Sequence, residues 1–152
     1  MTRFLAACAV LALSATSASA AVLRPVEVSR FAHFLDMDSV RREGDAAYFR
    51  YLLVTPETFE AAGEPFLAGW VHMTIDCAAR TADLTAFQSI RVGGVEGPRT
   101  EDSQPGRPIA AEGRDAALAA AVCDGKRPSP GPDAASVEDA VIQGRVWLAP
   151  TP

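Results

Sequence analysis

The chain has no asparagine, a single lysine (Lys126), two histidines and three cysteines in 152 residues. The absence of asparagine excludes Asn-linked glycans. So few histidines and cysteines leave little for a transition-metal site. The 19 acidic residues outnumber the 14 basic ones, and nucleic acids and anionic membranes both require a basic surface. The composition therefore predicts no nucleic acid partner, no metal and no other cofactor.

Catalytic signatures are also missing from the sequence. There is no Gly-x-Ser-x-Gly elbow, no His-Glu-x-x-His helix and no phosphate-binding glycine loop with its Lys-Ser/Thr. The pair Gly93-Gly94 does not open a dinucleotide site, because no helical pattern follows it. We therefore expect no catalytic residues, and a protein that is not an enzyme.

The first twenty residues have the pattern of a cleavable secretory signal. Arg3 precedes an apolar run over residues 4–13, and Ala18-Ser19-Ala20 forms an Ala-x-Ala exit. The run is well short of the ~20 apolar residues that a membrane span needs. We predict a signal at residues 1–20, export to the periplasm or beyond, and no membrane span.

A lipoprotein signal is the competing interpretation. Leu5-Ala6-Ala7-Cys8 has the residue types of a lipobox, in which the cysteine is acylated. Such a box closes the apolar segment, whereas here residues 9–13 continue it. The position of Cys8 therefore argues against an outer-membrane lipoprotein.

The residues after the signal have the size of one domain, and they contain Cys77 and Cys123. In an oxidising compartment two such cysteines usually pair. A metal site would need more soft ligands, and a redox pair has closer spacing. We predict a structural disulfide between Cys77 and Cys123, closing a loop that the chain-entropy model values at about 4 kcal/mol.

Alternating apolar and polar residues predict antiparallel strands over much of residues 21–125. The clearest runs are residues 31–36, 46–55, 69–77 and 81–92, with breaks expected at Pro56 and at residues 63–65. One sheet face is expected to be apolar and the other solvated. The expected core comprises Phe49, Tyr51, Leu53, Val71, Met73, Ile75, Leu84, Ile90 and Leu118.

The C-terminal part has a different composition. Residues 93–107 are rich in glycine, proline and charge, which predicts a loop. Residues 114–123 predict an alanine-rich helix, and the disulfide would clamp it on the sheet. Residues 126–134 indicate a flexible linker. Ser136 has the features of an N-cap for a short second helix that ends near Gly144, so residues 126–152 form a loosely attached helical tail. The predicted class is α+β.

The apolar residues of this tail require a contact surface. They are Val137, Val141, Ile142, Val146, Trp147 and Leu148. Positions 137 and 141 lie one helical turn apart and form one stripe. That stripe and Trp147 are expected to be buried against the domain's own sheet or, alternatively, against a partner protein.

Two groups of polar residues are candidate sites. His72, Thr74 and Asp76 share one strand face and could perform acid–base chemistry, but a solvated sheet face is the favoured interpretation, because alternation places polar residues there anyway. Asp36 and Asp38 could help bind a hard cation, but no further oxygen ligands follow at loop spacing.

The arginines Arg24, Arg30, Arg41 and Arg42 could form a modest basic patch for a protein or glycan. Surface arginines at this density usually have no such role. The pattern assigns no binding residue.

Several segments together resemble one family. These are Ser39-Val40-Arg41-Arg42-x-Gly44-Asp45, Ile75-Asp76-Cys77-x-x-Arg80-Thr81 and Ala121-Val122-Cys123. They resemble the surface-adhesin protein E family over residues 38–123. The resemblance implies a small antiparallel sheet with a packed helix, and a surface binding protein. The matching segments are scaffold, so no binding residue is implied.

The function expected from these observations is a non-enzymatic, exported, adhesin-like binding protein. The alternative is a periplasmic accessory or inhibitor module that acts on a partner enzyme through an ordered loop within residues 93–113. An enzyme would require a concave pocket that gathers His72, Asp76 or His33.

Overall fold

The computed structural model describes residues 22–61, 63–102, 105–129 and 131–150. The predicted signal at residues 1–20 lies outside them. Eight strands form one sheet within the described residues: β1 (Leu23–Val28), β2 (Ala32–Asp36), β3 (Arg41–Glu43), β4 (Ala46–Ala61), β5 (Glu64–Asp76), β6 (Thr81–Arg91), β7 (Glu96–Glu101) and β8 (Arg107–Pro108). The helices are α1 (Arg114–Val122) and α2 (Val137–Leu148).

All strand pairs are antiparallel, in the order β1-β2-β4-β5-β6-β7. The short strands β3 and β8 pair with β4 and β6. This arrangement with two helices fits the predicted α+β class. β1 was not predicted from the sequence.

The first face of the sheet carries α1 and most of the predicted core. Alternate residues of β4 and β5 point into it, as their period-2 pattern predicts. Of the predicted set, Leu53 and Leu84 are only partly buried. The core comprises Val26, Leu35, Ala47, Phe49, Tyr51, Val71, Met73, Ile75, Ala82, Leu118, Ala119 and Val122.

A disulfide ties α1 to this face. Cys77 follows β5 directly and Cys123 is the C-cap residue of α1. Their Cα atoms are 5.6 Å apart in the bridge. That distance lies within the range that disulfide geometry requires.

The second face is not wholly solvated, which corrects the expectation of one apolar and one wet face. Part of it is a second core covered by α2. Its buried residues are Leu23, Ala32, Phe34, Leu52, Val54, Ala68, Trp70, Ile90, Ala134, Ala140 and Val141. A continuous apolar stretch such as Leu52-Leu53-Val54 buries residues on both faces, which is why simple alternation missed this layer.

The expected loose attachment of the tail is not what the structure shows. Ala134 forms an isolated bridge with Leu23, and Ser136 caps α2 by accepting a hydrogen bond from the Asp139 amide at 3.0 Å. Trp147 stacks on Phe34 with ring centroids 5.7 Å apart. The tail residues therefore contact the domain's own sheet.

The sequence predicted that α2 ends near Gly144, but the helix continues to Leu148. Gly144 is buried, and a Cβ there would lie 3.0 Å from Ala32 Cβ and 3.1 Å from Val54 Cγ1. Glycine thus permits close helix–sheet approach here. Ile142 and Val146 are 66% and 68% exposed, so not all apolar tail residues are buried.

Residues 93–107 are not simply a loop. They contain β7 and the start of β8, paired with β6. β7 is almost entirely exposed, so no burial pattern marks it in the sequence. Backbone hydrogen bonds to β6 form it instead.

Two irregularities also changed the predicted strands. β4 runs past Pro56 through a register shift between Val54 and Phe59. A second register shift lies in the β5–β6 pair, between His72 and Met73. Beyond it, the side chains of β6 point to the opposite face from the one that simple alternation predicts. Ile90 consequently packs in the second core, and Val92, just after β6, is 53% exposed.

Candidate functional site

The part of the second face that α2 leaves uncovered forms an open polar groove of about 380 Å³. Its lining comes from β3, β4, β5, β6 and β7 and from the turn after β2. The lining residues are Asp38, Ser39, Arg41, Tyr48, Phe49, Arg50, His72, Met73, Thr74, Thr85 and Arg99.

Strand register explains why these side chains meet. Arg50 lies opposite His72, and Tyr48 lies opposite Thr74, in the β4–β5 pair. Directly opposed residues of antiparallel strands project from the same face. The polar positions of the two alternating strands are thereby collected in one row, next to the apolar positions that α2 covers.

The floor of the groove is a network around Arg50. Its Nε donates to Asp36 Oδ2 at 2.7 Å, and its Cζ lies 4.1 Å from the centroid of the Trp70 ring. The Trp70 indole donates to Glu96 at 2.8 Å. Asp36 is only 2% exposed, and Arg50 is the ion-pair partner of this buried side chain. The network holds Arg50 in place.

His72 lies beside a second arginine. Arg99 Nη1 is 3.3 Å from His72 Nδ1, and because a guanidinium only donates, Nδ1 is the acceptor. Burial lowers the pKa of His72 below its ordinary 6.5, and the positive charges of Arg99 and Arg50 lower it further. The histidine is therefore neutral at neutral pH, and the potential around it is positive.

The outer part of the groove has two exposed charges. Arg41 and Asp38 line it, and neither side chain forms an ion pair within the described residues. Arg99 is held by Glu101, whose Oε1 lies 2.7 Å from Arg99 Nε. Hydrogen bonds and ion pairs thus hold the side chains of the groove floor, whereas Arg41 and Asp38 at the rim have no ion pair among the described residues.

The structure separates the predicted acid–base group. His72 and Thr74 line the groove, whereas Asp76 accepts hydrogen bonds from the amides of Ala78 and Ala79 in the β5–β6 turn. Asp76 is therefore a turn-stabilising residue.

The predicted cation ligands are also separated in role. Asp36 is paired with Arg50 and accepts from the Asp38 amide, while the Asp38 carboxylate lines the groove. No group of three or more His, Cys, Asp or Glu side chains within the described residues is placed to hold a metal ion.

The four arginines of the suggested basic patch serve different contacts. Arg41 lines the groove, whereas Arg42 donates to the Val122 carbonyl at 2.9 Å beside α1. Arg24 is 3.6 Å from Asp133, and Arg30 lies over the Phe31 ring. The patch as proposed is not assembled.

His33, the third candidate for a catalytic pocket, is buried away from the groove. Its Nδ1 lies 2.8 Å from Glu27 Oε2, and its ring meets Tyr51 edge-on. Burial lowers its pKa below 6.5, although Glu27 opposes the shift.

Sequence reasoning missed the groove residues Arg50 and Arg99. Arg50 carried a signal, because a charged residue stood at a period-2 position between Tyr48 and Leu52. Arg99 carried none, since its strand shows no alternation.

Comparison with known proteins identifies the scaffold. The family model described as surface-adhesin protein E matches residues 23–124. The chain belongs to the surface-adhesin protein E family. The match confirms the resemblance seen in the sequence motifs, and it ends before α2.

Solved structures with a similar fold are those of Haemophilus influenzae protein E. One superposes with a TM-score of 0.54 at 11% identity, covering 80% of this chain and 96% of that one. A second crystal form gives 0.53 at 12% identity, covering 78% and 98%. At this identity the likeness establishes the fold alone. A search of curated proteins found no sequence match.

Family membership implies an exported protein with a surface adhesin-like role. Neither the family nor its structural neighbours support an accessory or inhibitor module. None of the helices in the described part of the chain has the length and apolar character to cross a bilayer.

Proposed function

We propose that this protein acts after export as a non-enzymatic, adhesin-like binding protein of the bacterial envelope, and that the polar groove contacts its partner protein. The observation that carries the proposal is the family match over residues 23–124. The groove is the proposed contact surface for the partner, because it is the part of the second face that α2 leaves uncovered.

The side chains of the groove support binding rather than catalysis. Ser39 Oγ donates to the Asp36 carbonyl at 2.7 Å, and it accepts from the Arg50 amide at 3.0 Å. Its hydroxyl therefore has a structural role. His72 is flanked by arginines, which oppose the positive charge that a general base acquires.

The signal pattern at residues 1–20 supports export, and the position of Cys8 argues against a lipid anchor. A disulfide between Cys77 and Cys123 suits the same oxidising location. The proposed mature chain therefore begins at Ala21.

The ordered loop required by the accessory-module alternative has little support. Residues 96–101 and 107–108 are hydrogen-bonded to β6 in the sheet. Much of the segment expected to protrude is thus part of the scaffold.

The experiment combines location with adhesion. Intact cells are treated with a membrane-impermeant biotin reagent, and the protein is then analysed by mass spectrometry. The adherence of a deletion strain to a surface coated with extracellular-matrix protein is measured beside strains complemented with wild type or Arg41→Gln.

We expect labelling on intact cells, an N-terminus at Ala21, and adherence that falls on deletion and returns with wild type. Unlabelled protein in intact cells, or adherence unchanged by deletion, would refute the proposed function. Full complementation by Arg41→Gln would contradict the proposal that the groove is the binding surface.

A further inference from the structure

The lining of the groove has more basic than acidic side chains, unlike the chain as a whole. Three arginines line it, Arg41, Arg50 and Arg99, against one acidic residue, Asp38. The chain as a whole has a formal net charge of −5. Arg50 and Arg99 have acidic partners in Asp36 and Glu101, so Arg41 carries the positive charge of the groove that is unpaired within the described residues. Such a cation is complementary to an anionic group of a partner.

The two rim arginines have unused donors. Arg41 is exposed, and within the described residues its side chain has no hydrogen bond or ion pair. Arg99 uses Nε for Glu101 and Nη1 for His72, which leaves Nη2 outside both contacts. Arg50 differs, because Asp36 and the Trp70 ring hold it in the floor.

The neighbouring acids decide which kind of anion fits. Glu96 and Glu101 lie on β7 beside the groove, and Asp38 lies at its rim. A long, uniformly charged polymer would place negative charge over these acids as well as over the arginines. A short segment with one or two carboxylates can reach Arg41 and the remaining donor of Arg99 while it places little charge over these acids.

The size of the groove agrees with a short segment. Its volume of about 380 Å³ lies near the lower end of the range for ligand pockets, about 300–1,000 Å³. It admits a few side chains of an extended chain and excludes a folded domain.

We propose that the groove binds an acidic peptide segment of the partner protein, with carboxylates of that segment paired to Arg41 and Arg99. This inference rests on the proposed function, and it specifies the chemistry of the partner. Arginine pairs with carboxylates through paired, charge-assisted hydrogen bonds.

The test uses a defined peptide probe. A short fluorescent peptide of alternating Glu and Ser is titrated with the mature, disulfide-bonded protein, and binding is followed by fluorescence anisotropy. A Gln/Ser peptide of the same length is the uncharged control, and a sulfated polysaccharide competes as the long polyanion.

Matched variants locate the binding. Arg41→Gln and Arg99→Gln are each expected to weaken binding of the Glu/Ser peptide about tenfold, the scale of one charge-assisted hydrogen bond. Arg107→Gln is the control, because Arg107 pairs with Ala82 of the first core and so faces the opposite side of the sheet. It removes the same charge and should leave binding unchanged.

A charge reversal makes the test specific. Arg41→Glu should lose the Glu/Ser peptide and bind a Lys/Ser peptide more tightly than wild type does. Thermal unfolding of each variant, unchanged from wild type, excludes misfolding as the cause.

Several results would overturn the inference. Equal affinity for the Glu/Ser and Gln/Ser peptides, equal losses in Arg107→Gln and Arg41→Gln, or stronger binding of the sulfated polysaccharide would each do so. Surface labelling and adherence of the wild-type strain are measured independently. If they persist while the peptide fails to bind, this inference falls and the proposed function stands.

Discussion

Replacing Trp147 with alanine tests whether α2 is an integral layer of the domain. The indole stacks on Phe34 at an interplanar angle of 10°, and a Cβ at Gly131 would lie 2.7 Å from its ring. The neighbouring Val146 is 68% exposed on the same helix. Trp147→Ala and Val146→Ala therefore form a matched pair that differs mainly in contact with the sheet.

The magnitude follows from the apolar contact. A tryptophan buries about 150–250 Å², which at about 25 cal/mol per Å² is worth about 4–6 kcal/mol when burial is complete. Trp147 is only partly buried, which reduces this to about 2–3 kcal/mol. Stacking on Phe34 adds about 0.5–1.5 kcal/mol. The expected loss is about 3 kcal/mol.

The assay is thermal unfolding of the two purified variants, followed by circular dichroism. For a domain of this size, each kcal/mol shifts Tm by about 3–5 °C, so Trp147→Ala should lower Tm by about 10 °C. Val146→Ala should change stability by less than about 0.5 kcal/mol. Equal shifts in the two variants would show that the tail is not docked in solution and would refute this reasoning.

Three further predictions concern the scaffold. Cys77→Ala should lower the free energy of unfolding by about 2–5 kcal/mol in urea titration, and non-reducing mass spectrometry of wild type should find no free thiol. Two free thiols would exclude the bridge. Because burial lowers the pKa of His33 in the folded state, stability should be complete above pH 6.5 and decrease as pH falls below it. His33→Gln should flatten this acid-side slope of Tm against pH, and an unchanged slope would contradict the assignment. Asp36→Asn should cost about 2 kcal/mol in urea titration, because Arg50 loses its charged partner. Asp38→Asn, at an exposed neighbour, is the control, and an equal effect there would contradict the role of the buried pair.

The local patterns of the sequence were sufficient for the central strands and for the start of α2. Residues 46–54 of β4 and 69–76 of β5 alternate, so their pleated backbone could direct Phe49, Tyr51, Val71 and Met73 to one face without further information. Ser136 was identifiable as an N-cap, because capping depends on a side chain and amides within three residues. These features need only neighbours along the chain.

The groove and the second core depended on contacts between distant residues. Asp36, Arg50, Trp70 and Glu96 come from four strands or their ends, and only the pairing order and register of the sheet bring them together. β7 has no pattern of its own and forms by hydrogen bonding to β6. Sequence alone determined which residues of the central strands alternate and that Ser136 caps α2. The tertiary structure decided which face each helix covers, and hence which polar residues remain exposed, because burial is a property of the packed layers and not of the local chain.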